Sequence, residues 1–388
     1  MPTVPPDSSR LWRFLTTQRL PTPYSVLDID TALLRHKQLV TATGGQLDVL
    51  YAVKANADPG LLSALAHVGC GMDVASPGEL RQVLSAGCPA DRVSYSNPFR
   101  SRDEIAFAHE NGVRLFCADS PEEILRLAAR APGASVVLRL AHAGPGSMSP
   151  RFGCSPHEAV ELAALAVTHH LEVAGLCWHV GTQQTDPGQW RIACATGARV
   201  WAAIRERGAA GRLRVLNLGG GLPGTYRVPT PPLHVYARTI TSAVTDCFVD
   251  PPDHTFLEPG RALVADAGAT VSSVKAVMRR NGRTHVILDA GLWNAGLADS
   301  LYSIEYAVTA VNHSPATPTH PVMICGPTCD TLDELSVGDA YRLPVDLAPG
   351  DRVAIWPTGA YCATNAAVNF NGYPPVTQHS LPPTRLPP

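Results

Sequence analysis

The feature that most constrains this chain is an alternation of short β-rich runs with helical stretches from about residue 25 to residue 265. Strands that alternate with helices at roughly 20–40-residue spacing favour a parallel sheet, because each crossover between parallel strands uses a helix. Nine runs have the composition of strands: YSVLDID (24–30), DVLYAVKA (48–55), GMDVAS (71–76), VSYSN (93–97), LFCAD (115–119), SVVLRL (135–140), VAGLCWHV (173–180), RVLNLGGG (214–221) and HTFLEPG (254–260).

The intervening segments are rich in Ala, Leu, Glu and Arg, and several open with Ser-Pro or Asp-Pro. Serine or aspartate caps a helix and proline suits its first turn, so these segments are predicted to be helices. About eight strand–helix units fit a (β/α)8 barrel, and an open doubly wound sheet is the alternative. The polar motifs described below fall mostly where candidate strands end. This favours the barrel, whose sites lie at the carboxyl ends of its strands.

The sequence pattern changes after residue 266, where strand-like runs such as RTHVILDAG and DRVAIWP are separated by Gly/Pro turns. A chain of 388 residues has room for two domains, since a domain usually takes roughly 100–200 residues. We predict an N-terminal segment (1–29) that joins a β domain, a barrel (30–265) and a C-terminal, mostly β domain (266–388).

Composition and charge argue against nucleic-acid, membrane and metal partners. A net charge of −2 gives no sign of a nucleic-acid or anionic-membrane partner. No apolar run is long enough for a membrane span, and the first residues lack the apolar run of a signal peptide. The ten scattered cysteines are typical of reduced thiols in a cytoplasmic protein. The closest pair, Cys325 and Cys329, lacks matching histidines, so no metal site is expected.

Lys54 ends the apolar run LYAVKAN. Burying an ammonium is costly, so a lysine at a solvent-exposed strand edge is the simplest interpretation. A lysine held near other cations in a dry site can instead lose its proton and form an imine. That interpretation requires a phosphate site and a partner for a pyridine nitrogen elsewhere in the chain.

Two motifs can supply these features. The glycine triplet 219–221 in LNLGGGLPG would let backbone N–H groups approach an anion, although such triplets also form plain turns. In EPGR, Glu258 and Arg261 bracket a Pro-Gly turn at a strand end. Pyridoxal phosphate (PLP) needs an acid on its ring nitrogen, and its phosphate favours a guanidinium. The alternative is a structural Glu–Arg pair across the turn.

Further polar residues occur at strand ends. His179 in CWHVGTQ could stack on a pyridine ring, and Thr182 offers a hydroxyl to a phosphate. Asp73 in GMDVAS and Arg139 in VVLRLA are charges at strand ends. A satisfied core histidine and plain salt bridges are the alternatives for these residues.

Seven motifs occur in the order found in the ornithine/diaminopimelate/arginine decarboxylases, the fold-type III PLP enzymes, which this chain resembles from about residue 24 to 373. The motifs are YAVKAN, DVASPGEL, HVGTQ, the glycine triplet, EPGR, CGPTCDTLDEL and GAY…NFNGY. The resemblance implies a (β/α)8 barrel of alanine-racemase type with a C-terminal β domain, which agrees with the strand–helix alternation.

The resemblance also implies residue roles. Lys54 would carry PLP as a Schiff base, His179 would stack on its ring and Glu258 would pair with the pyridine nitrogen. Asp73 and Arg139 would support the lysine and the surroundings of the cofactor. The phosphate would lie among Thr182, Gly220, Gly221, Gly260, Arg261 and Tyr361.

A second group of residues would act across a dimer. Cys329 matches the cysteine that returns a proton after carbon dioxide leaves. In the family, Cys329 and Asp330 would reach in from the partner subunit, so a homodimer with shared active sites is implied. Asp330 would hold the distal ammonium of a basic L-amino acid such as ornithine or lysine, as in polyamine biosynthesis.

The chain departs from ornithine decarboxylases at one substrate position. Those enzymes carry a second aspartate after a Leu-Tyr pair, and here Leu301-Tyr302 is followed by Ser303. Asp299 or Glu305 would substitute if the loop is shifted. A neutral Ser303 removes about one charge-assisted contact, worth about 1.5–3 kcal/mol.

Other functions therefore stay open. One is a diaminopimelate-type or specialised-metabolism decarboxylase acting on a modified or conjugated amino acid. An amino-acid racemase is disfavoured because CGPTCD and NFNG are decarboxylase motifs. A non-catalytic regulator is disfavoured by the retention of Lys54, Glu258, Arg261 and Cys329.

Overall fold

The computed structural model describes residues 9–144, 151–208, 211, 213–250, 252–302, 304–311, 313–314, 316–335 and 341–385. The chain divides into two compact units. Of the described residues, the barrel unit comprises those in 33–223 and 231–260, and the β unit comprises those in 9–32, 224–230 and 261–385.

The β unit contains the first helix and strand of the chain, α1 (Arg10–Thr17) and β1 (Tyr24–Asp28). The next eight strands form a closed barrel in which every neighbouring pair is parallel. These strands are β2 (Asp48–Ala52), β3 (Gly71–Val74), β4 (Val93–Tyr95), β5 (Leu115–Ala118), β6 (Ser135–Arg139), β7 (Glu172–Cys177), β8 (Val215–Asn217) and β9 (His254–Leu257).

One helix precedes these strands and the others separate them. They are α2 (Ile29–Ala42), α3 (Pro59–His67), α4 (Pro77–Ser85), α5 (Arg102–Glu110), α6 (Pro121–Arg130), α7 (Pro156–Thr168), α8 (Gly188–Glu206) and α9 (Leu233–Cys247), with a short 3-10 turn at Ala90–Arg92. The predicted caps are present: the side chains of Asp58 and Ser76 each accept a backbone N–H from the first turn of α3 and α4, with proline next in sequence.

The barrel closes where β2 pairs with β9, with Asp48 opposite Phe256 and Val49 opposite Leu257. An open doubly wound sheet would leave these two strands as edges, so the predicted (β/α)8 barrel is confirmed. Inside it, Cys117, Val137, Ala174, Cys177 and Val215 form an apolar cluster.

The barrel strands end earlier than predicted. The run DVLYAVKA was expected to be extended to residue 55, but β2 ends at Ala52 and Val53–Ala55 form a 3-10 turn. Similarly, β9 ends at Leu257, one residue before Glu258. Polar residues such as Lys54 and Glu258 therefore lie in turns just past the strand ends, where their side chains need not enter the packed barrel interior.

The β unit is built on an eight-stranded mixed sheet. Its strands after β1 are β10 (Gly268–Arg280), β11 (Arg283–Leu288), β12 (Ala307–Ala310), β13 (Thr319–Cys325), β14 (Tyr341–Pro344), β15 (Arg352–Trp356) and β16 (Thr377–Leu381). Short helices α10 (Arg261–Val264) and α11 (Cys362–Asn365) and 3-10 turns at Ala265–Ala267, Leu297–Tyr302 and Phe370–Gly372 complete it.

The sheet order of the β unit is β12-β15-β10-β11-β13-β14, and β1 pairs with both β10 and β16. The first predicted strand run therefore pairs in this sheet and is not a barrel strand. Leu11 and Leu15 of α1 pack with Tyr24, Val26 and other buried residues to form the core of this unit.

Candidate active site

A cavity of about 500 Å³ opens at the carboxyl ends of the barrel strands. Its polar lining comes from residues at the ends of most of the strands, because parallel strands all end at the same rim of the barrel. The lining residues include Lys54, Asp73, Ser96, Asn97, Cys117, Arg139, His142, Cys177, His179, Thr182 and Glu258. Six predicted site residues thus lie together: Lys54, Asp73, Arg139, His179, Thr182 and Glu258.

Lys54 lies in the turn after β2, and its Nζ is 3.3 Å from Asp73 Oδ2. The Asp73 side chain is 2% exposed and that of Lys54 is 53% exposed. Asp73 Oδ1 is buried and has no hydrogen-bond partner among the described residues. The chain has three lysines, and Lys54 is the one that lines the cavity.

Glu258 follows β9 and is oriented by two donors. Ser96 Oγ donates to Glu258 Oε1 at 2.8 Å, and Asn217 Nδ2 donates to the same oxygen at 2.6 Å. The other carboxyl oxygen, Oε2, is left to accept a ligand. Burial, and then the charge of Asp73, raise the pKa of the Glu258 carboxyl to about 7. A proton can therefore be held on or near this carboxyl at neutral pH.

The glycine triplet follows β8 as a tight turn beside the cavity. Gly219 has φ +69°, and a Cβ there would collide with the Trp178 carbonyl oxygen. A Cβ on Gly220 would lie 2.8 Å from the Glu258 carbonyl oxygen. Only glycine allows these close approaches between the turn and its neighbours.

His179 follows β7 and is half-buried. Burial lowers the pKa of His179 to about 3, and the nearby Arg139 and Lys54 charges act in the same direction. The imidazole is therefore neutral at physiological pH. A neutral, flat ring on the wall of the cavity is suited to stacking on an aromatic ligand.

Arg139 ends β6, and its guanidinium carbon lies 4.5 Å from the centre of the Phe152 ring. Thr182 is exposed and lines the cavity. Gly221 has φ +116° and Gly260 ends the barrel unit directly before Arg261.

In the β unit, Arg261 forms a cluster of its own. It is 5% exposed, and its Nη1 donates to Asp299 Oδ2 at 2.7 Å and to the Tyr226 hydroxyl at 2.8 Å. Its guanidinium carbon lies 4.6 Å from the centre of the Tyr361 ring. Arg261 Nε is buried without a partner in the described part of the chain. The Glu258–Arg261 pair considered as an alternative is therefore absent from the described ion pairs, in which Arg261 pairs with Asp299.

Tyr361 has φ +63°, a left-handed conformation that a bulky residue rarely adopts. Such conformations cost of order 1–3 kcal/mol and cluster at functional sites. This strain is consistent with the predicted functional position of Tyr361.

Cys329 and Asp330 lie on an exposed loop of the β unit after β13. The Cys329 amide donates to Asn371 Oδ1 at 2.9 Å, and Asp330 Oδ1 accepts from the Leu332 amide at 2.9 Å. Buried Asp333 supports the loop by accepting from the Thr328 hydroxyl at 2.6 Å.

Tyr302 is 63% exposed. Ser303 lies outside the described residues. The predicted substrate-binding positions are therefore seen at Tyr302 and Asp330 alone.

The sequence analysis missed Ser96 and Asn217, which hold Glu258. Both follow or end barrel strands, in VSYSN and LNLGGG, so their positions at strand ends were the available signal. In the described part of the chain, no cluster of three or more metal-ligating side chains occurs. Nor does any described helix combine the length and apolar character that a membrane span requires.

Comparisons with known proteins identify the family of this chain. Residues 29–265 match the model of the pyridoxal-binding domain of pyridoxal-dependent decarboxylases. The chloroplastic ornithine decarboxylase of Nicotiana glauca is 30% identical over 370 residues, which cover 90% of this chain and 82% of that relative. The diaminopimelate decarboxylase of Pseudomonas aeruginosa is 33% identical over 329 residues, covering 81% and 76%.

A solved structure is similar over almost the whole chain. The lysine/ornithine decarboxylase of Vibrio vulnificus, in complex with putrescine, matches with a TM-score of 0.86 and 27% identity. The match covers 96% of this chain and 99% of that one. The chain described here therefore belongs to the fold-type III pyridoxal-dependent decarboxylases.

Proposed function

We propose that this protein uses PLP to decarboxylate a basic diamino L-amino acid such as ornithine or lysine, releasing an amine and carbon dioxide. The observation that carries the proposal is the cavity in which Lys54, paired with Asp73, lies at the same barrel rim as the donor-oriented Glu258. Relatives with the matching fold act on ornithine, lysine and diaminopimelate, as their names state.

The residues present fit PLP on three structural grounds. Asp73 Oδ1 and Arg261 Nε are buried polar atoms without partners among the described residues. Glycines occupy positions 219–221, two of which have no room for a Cβ, so no side chain covers the backbone of this turn. Glu258 keeps one carboxyl oxygen available, as a pyridine nitrogen requires.

Each residue then has a role. When bound, PLP would supply a sink for the electron pair left by the broken Cα–carboxylate bond. Lys54 is the amine that holds the cofactor aldehyde, and Asp73 orients its ammonium. Glu258 holds the ring-nitrogen proton, which its raised pKa favours. Neutral His179 packs on the ring face.

The phosphate is recognised by neutral and charged donors. Backbone N–H groups of the glycine turn and the Thr182 hydroxyl supply neutral hydrogen bonds, and Arg261 supplies the positive charge. We propose that the phosphate group lies among Thr182, Gly220, Gly221, Gly260, Arg261 and Tyr361. Arg139 supports the cavity wall beside His179.

We further propose a homodimer with shared sites. Cys329 and Asp330 of one subunit would complete the cavity of the other: Cys329 would return a proton to Cα, and the Asp330 carboxylate would hold the distal ammonium of the substrate. Cys329 is exposed, and Asp333 anchors its loop by accepting a hydrogen bond from the Thr328 hydroxyl. An anchored loop with an exposed cysteine is suited to contacting another chain.

Ser303 favours a second candidate. Ornithine decarboxylases have aspartate where this chain has Ser303. The distal ammonium of the substrate would therefore contact one carboxylate, that of Asp330, where those enzymes offer two. A diaminopimelate-type or specialised-metabolism substrate with a modified side chain would need fewer carboxylates at this position to bind a distal positive charge.

A non-catalytic regulator would have no need for the Lys54–Asp73 pair or the oriented Glu258.

A cytoplasmic location and a place in polyamine formation complete the proposal. All ten cysteines carry free thiols, which suits a reducing compartment.

The test is a carbon-dioxide release screen with added PLP across ornithine, lysine, 2,4-diaminobutyrate, arginine and meso-diaminopimelate. Turnover of ornithine or lysine would support the proposal. Turnover of meso-diaminopimelate alone would support the second candidate. If none is turned over while PLP still forms an absorbing adduct with Lys54, the proposed substrate class is wrong. As a matched variant, Ser303→Asp is expected to raise kcat/KM for ornithine about tenfold or more.

A further inference from the structure

Two buried cysteines meet inside the cofactor cavity. Cys117 is on β5 and Cys177 ends β7, and their Sγ atoms are 3.5 Å apart. They are 1% and 5% exposed, and both line the cavity that contains Lys54 and Glu258. The roles proposed above for PLP binding and decarboxylation leave this pair unused.

A disulfide does not fit this pair. Cys117 lies opposite Val137 on β6, and Cys177 lies opposite Arg139 on the other side of the same strand. The two cysteines are therefore two strands apart and two residues out of register along β6. Two strand spacings alone amount to about 9 Å. Disulfides need Cα atoms no more than about 7 Å apart, so a direct bond would require the barrel backbone to move.

The pair is better suited to bridging by a third atom. Two sulfurs that bind one pyramidal centre at about 2.3 Å, with a bond angle of about 100°, lie about 3.5 Å apart. The two Sγ atoms have this separation here. The described residues supply no third metal-ligating side chain in a cluster with them. The central atom of a ligand must therefore take only two bonds from the protein and carry its third substituent itself.

We propose that Cys117 and Cys177 form a two-sulfur site for a thiophilic centre, of which a monosubstituted trivalent arsenical is the fitting chemical class. Two As–S bonds form as the As=O group and both S–H bonds are broken, and the oxygen leaves with both thiol protons as water. Arsenic stays trivalent, so no oxidant or reductant is needed.

The proton on the Cys177 thiol fits this chemistry. A hydrogen bond with Cys117, and then burial, raise the pKa of the Cys177 thiol well above its usual value. A metal ion that binds a thiolate would have to displace this proton into solvent. The arsenical reaction carries it away in the water molecule that it forms.

Occupation of the site should exclude the cofactor. This step rests on the proposed location of PLP. The charges of Arg139 and Glu258 both act on Cys177, so this thiol lies close to the groups proposed to surround the ring. A cofactor that fills the cavity of about 500 Å³ would cover the pair and protect it.

The test uses the purified full chain with PLP removed or added back, and phenylarsine oxide as the probe. Intact-protein mass is measured after a challenge with excess glutathione, which removes arsenic held by a single sulfur, and again after dimercaptopropanol, which removes arsenic held by two. We expect one glutathione-resistant phenylarsenic group per PLP-free chain, removed by the dithiol and located by peptide mapping on the segments with Cys117 and Cys177.

Matched variants decide the assignment. Cys117→Ser and Cys177→Ser should each lose the resistant adduct, and Cys194→Ser, a change of another buried thiol on α8, should keep it. Circular dichroism identifies a variant that fails to fold, in which case the peptide map of the wild type decides. A resistant adduct that persists in both variants, or that maps elsewhere, overturns the proposal.

Whether bound PLP protects the two thiols is tested separately from the proposed function. Borohydride reduction and mass measurement establish whether PLP has joined Lys54. If PLP is attached there and the arsenical still adds to both thiols, the exclusion of the cofactor is overturned. If PLP does not attach to Lys54 but the arsenical bridges the two thiols, the proposed role of Lys54 is wrong while the two-sulfur site stands.

Discussion

Asn217 Nδ2 donates a hydrogen bond to Glu258 Oε1 at 2.6 Å. The Oδ1 atom of the same Asn217 side chain accepts a hydrogen bond from the Gly219 amide at 2.9 Å. One amide at the end of β8 thus holds both the acid proposed to face the pyridine nitrogen and the start of the glycine turn. The Ser96 hydroxyl contacts the acid and the Ser94 hydroxyl, and none of its described hydrogen bonds goes to the glycine turn. The proposed ring-nitrogen partner and the proposed phosphate turn therefore depend on a shared residue.

Asn217→Ala is expected to weaken PLP binding and to lower kcat by about tenfold each, because both the acid and the turn lose a hydrogen-bond partner. Ser96→Ala should lower kcat with a smaller change in PLP affinity, since the turn keeps its support. PLP affinity from absorbance titration and steady-state kcat check the pair. Equal loss of PLP affinity in both variants would contradict a separate role for Asn217 in the turn.

Lys54→Ala should abolish covalent capture of PLP and turnover while leaving the fold intact. The side chain is largely exposed to the cavity and contacts Asp73, so little packing is lost. Borohydride reduction followed by mass measurement is the readout. Lys37→Ala, on the exposed face of α2, is the control and should retain capture. Capture of PLP by the Lys54→Ala chain would transfer the role to another amine.

Glu258 predicts a pH dependence of the stability of the PLP-free chain. Its pKa is raised from an ordinary 4.5 to about 7, so the folded chain holds the proton more tightly than the unfolded chain. The stability from this group is fully present below pH 4.5 and is lost as the pH rises toward 7. Glu258→Gln should remove this loss.

The measurement is a thermal melt of both chains between about pH 5 and about pH 8. The Tm of Glu258→Gln relative to wild type should rise by a few degrees up to about pH 7 and then level off. A constant Tm difference across the range would mean that Glu258 ionises with an ordinary pKa.

Arg261→Met should reduce affinity for PLP by about 10- to 100-fold, because a charge-assisted contact with the phosphate is worth about 1.5–3 kcal/mol. Affinity for pyridoxal, which lacks the phosphate, should change little. The comparison of both ligands by absorbance titration separates phosphate recognition from general damage to the Asp299–Tyr226 cluster. Equal weakening of both ligands would assign Arg261 a structural role.

Shared sites predict complementation between inactive variants. When Lys54→Ala and Cys329→Ala chains exchange subunits, each mixed dimer should regain one intact site, giving about a quarter of wild-type activity after random exchange. Lys54→Ala mixed with Glu258→Gln should regain none, because both residues belong to the same barrel. Recovery in the second mixture but not the first would refute the proposed sharing.

The sequence alone determined the fold class and most of the candidate site. Strand–helix alternation predicts a parallel sheet, and the ends of parallel strands must meet at one rim. Lys54, Asp73, Arg139, His179 and Glu258 each stand at or just past such an end. Their common location therefore follows from local patterns, before any contact is known.

The tertiary structure alone decided which groups touch. Ser96 and Asn217 lie 162 and 41 residues from Glu258 along the chain, and hydrogen-bond geometry at that distance leaves no local signature. The same holds for Cys117 and Cys177, whose sulfurs meet across β6 because the barrel curves inward. Local sequence patterns place residues at the rim of the barrel. Closure of the barrel decides which of these residues are in contact, which are protonated and how they pack.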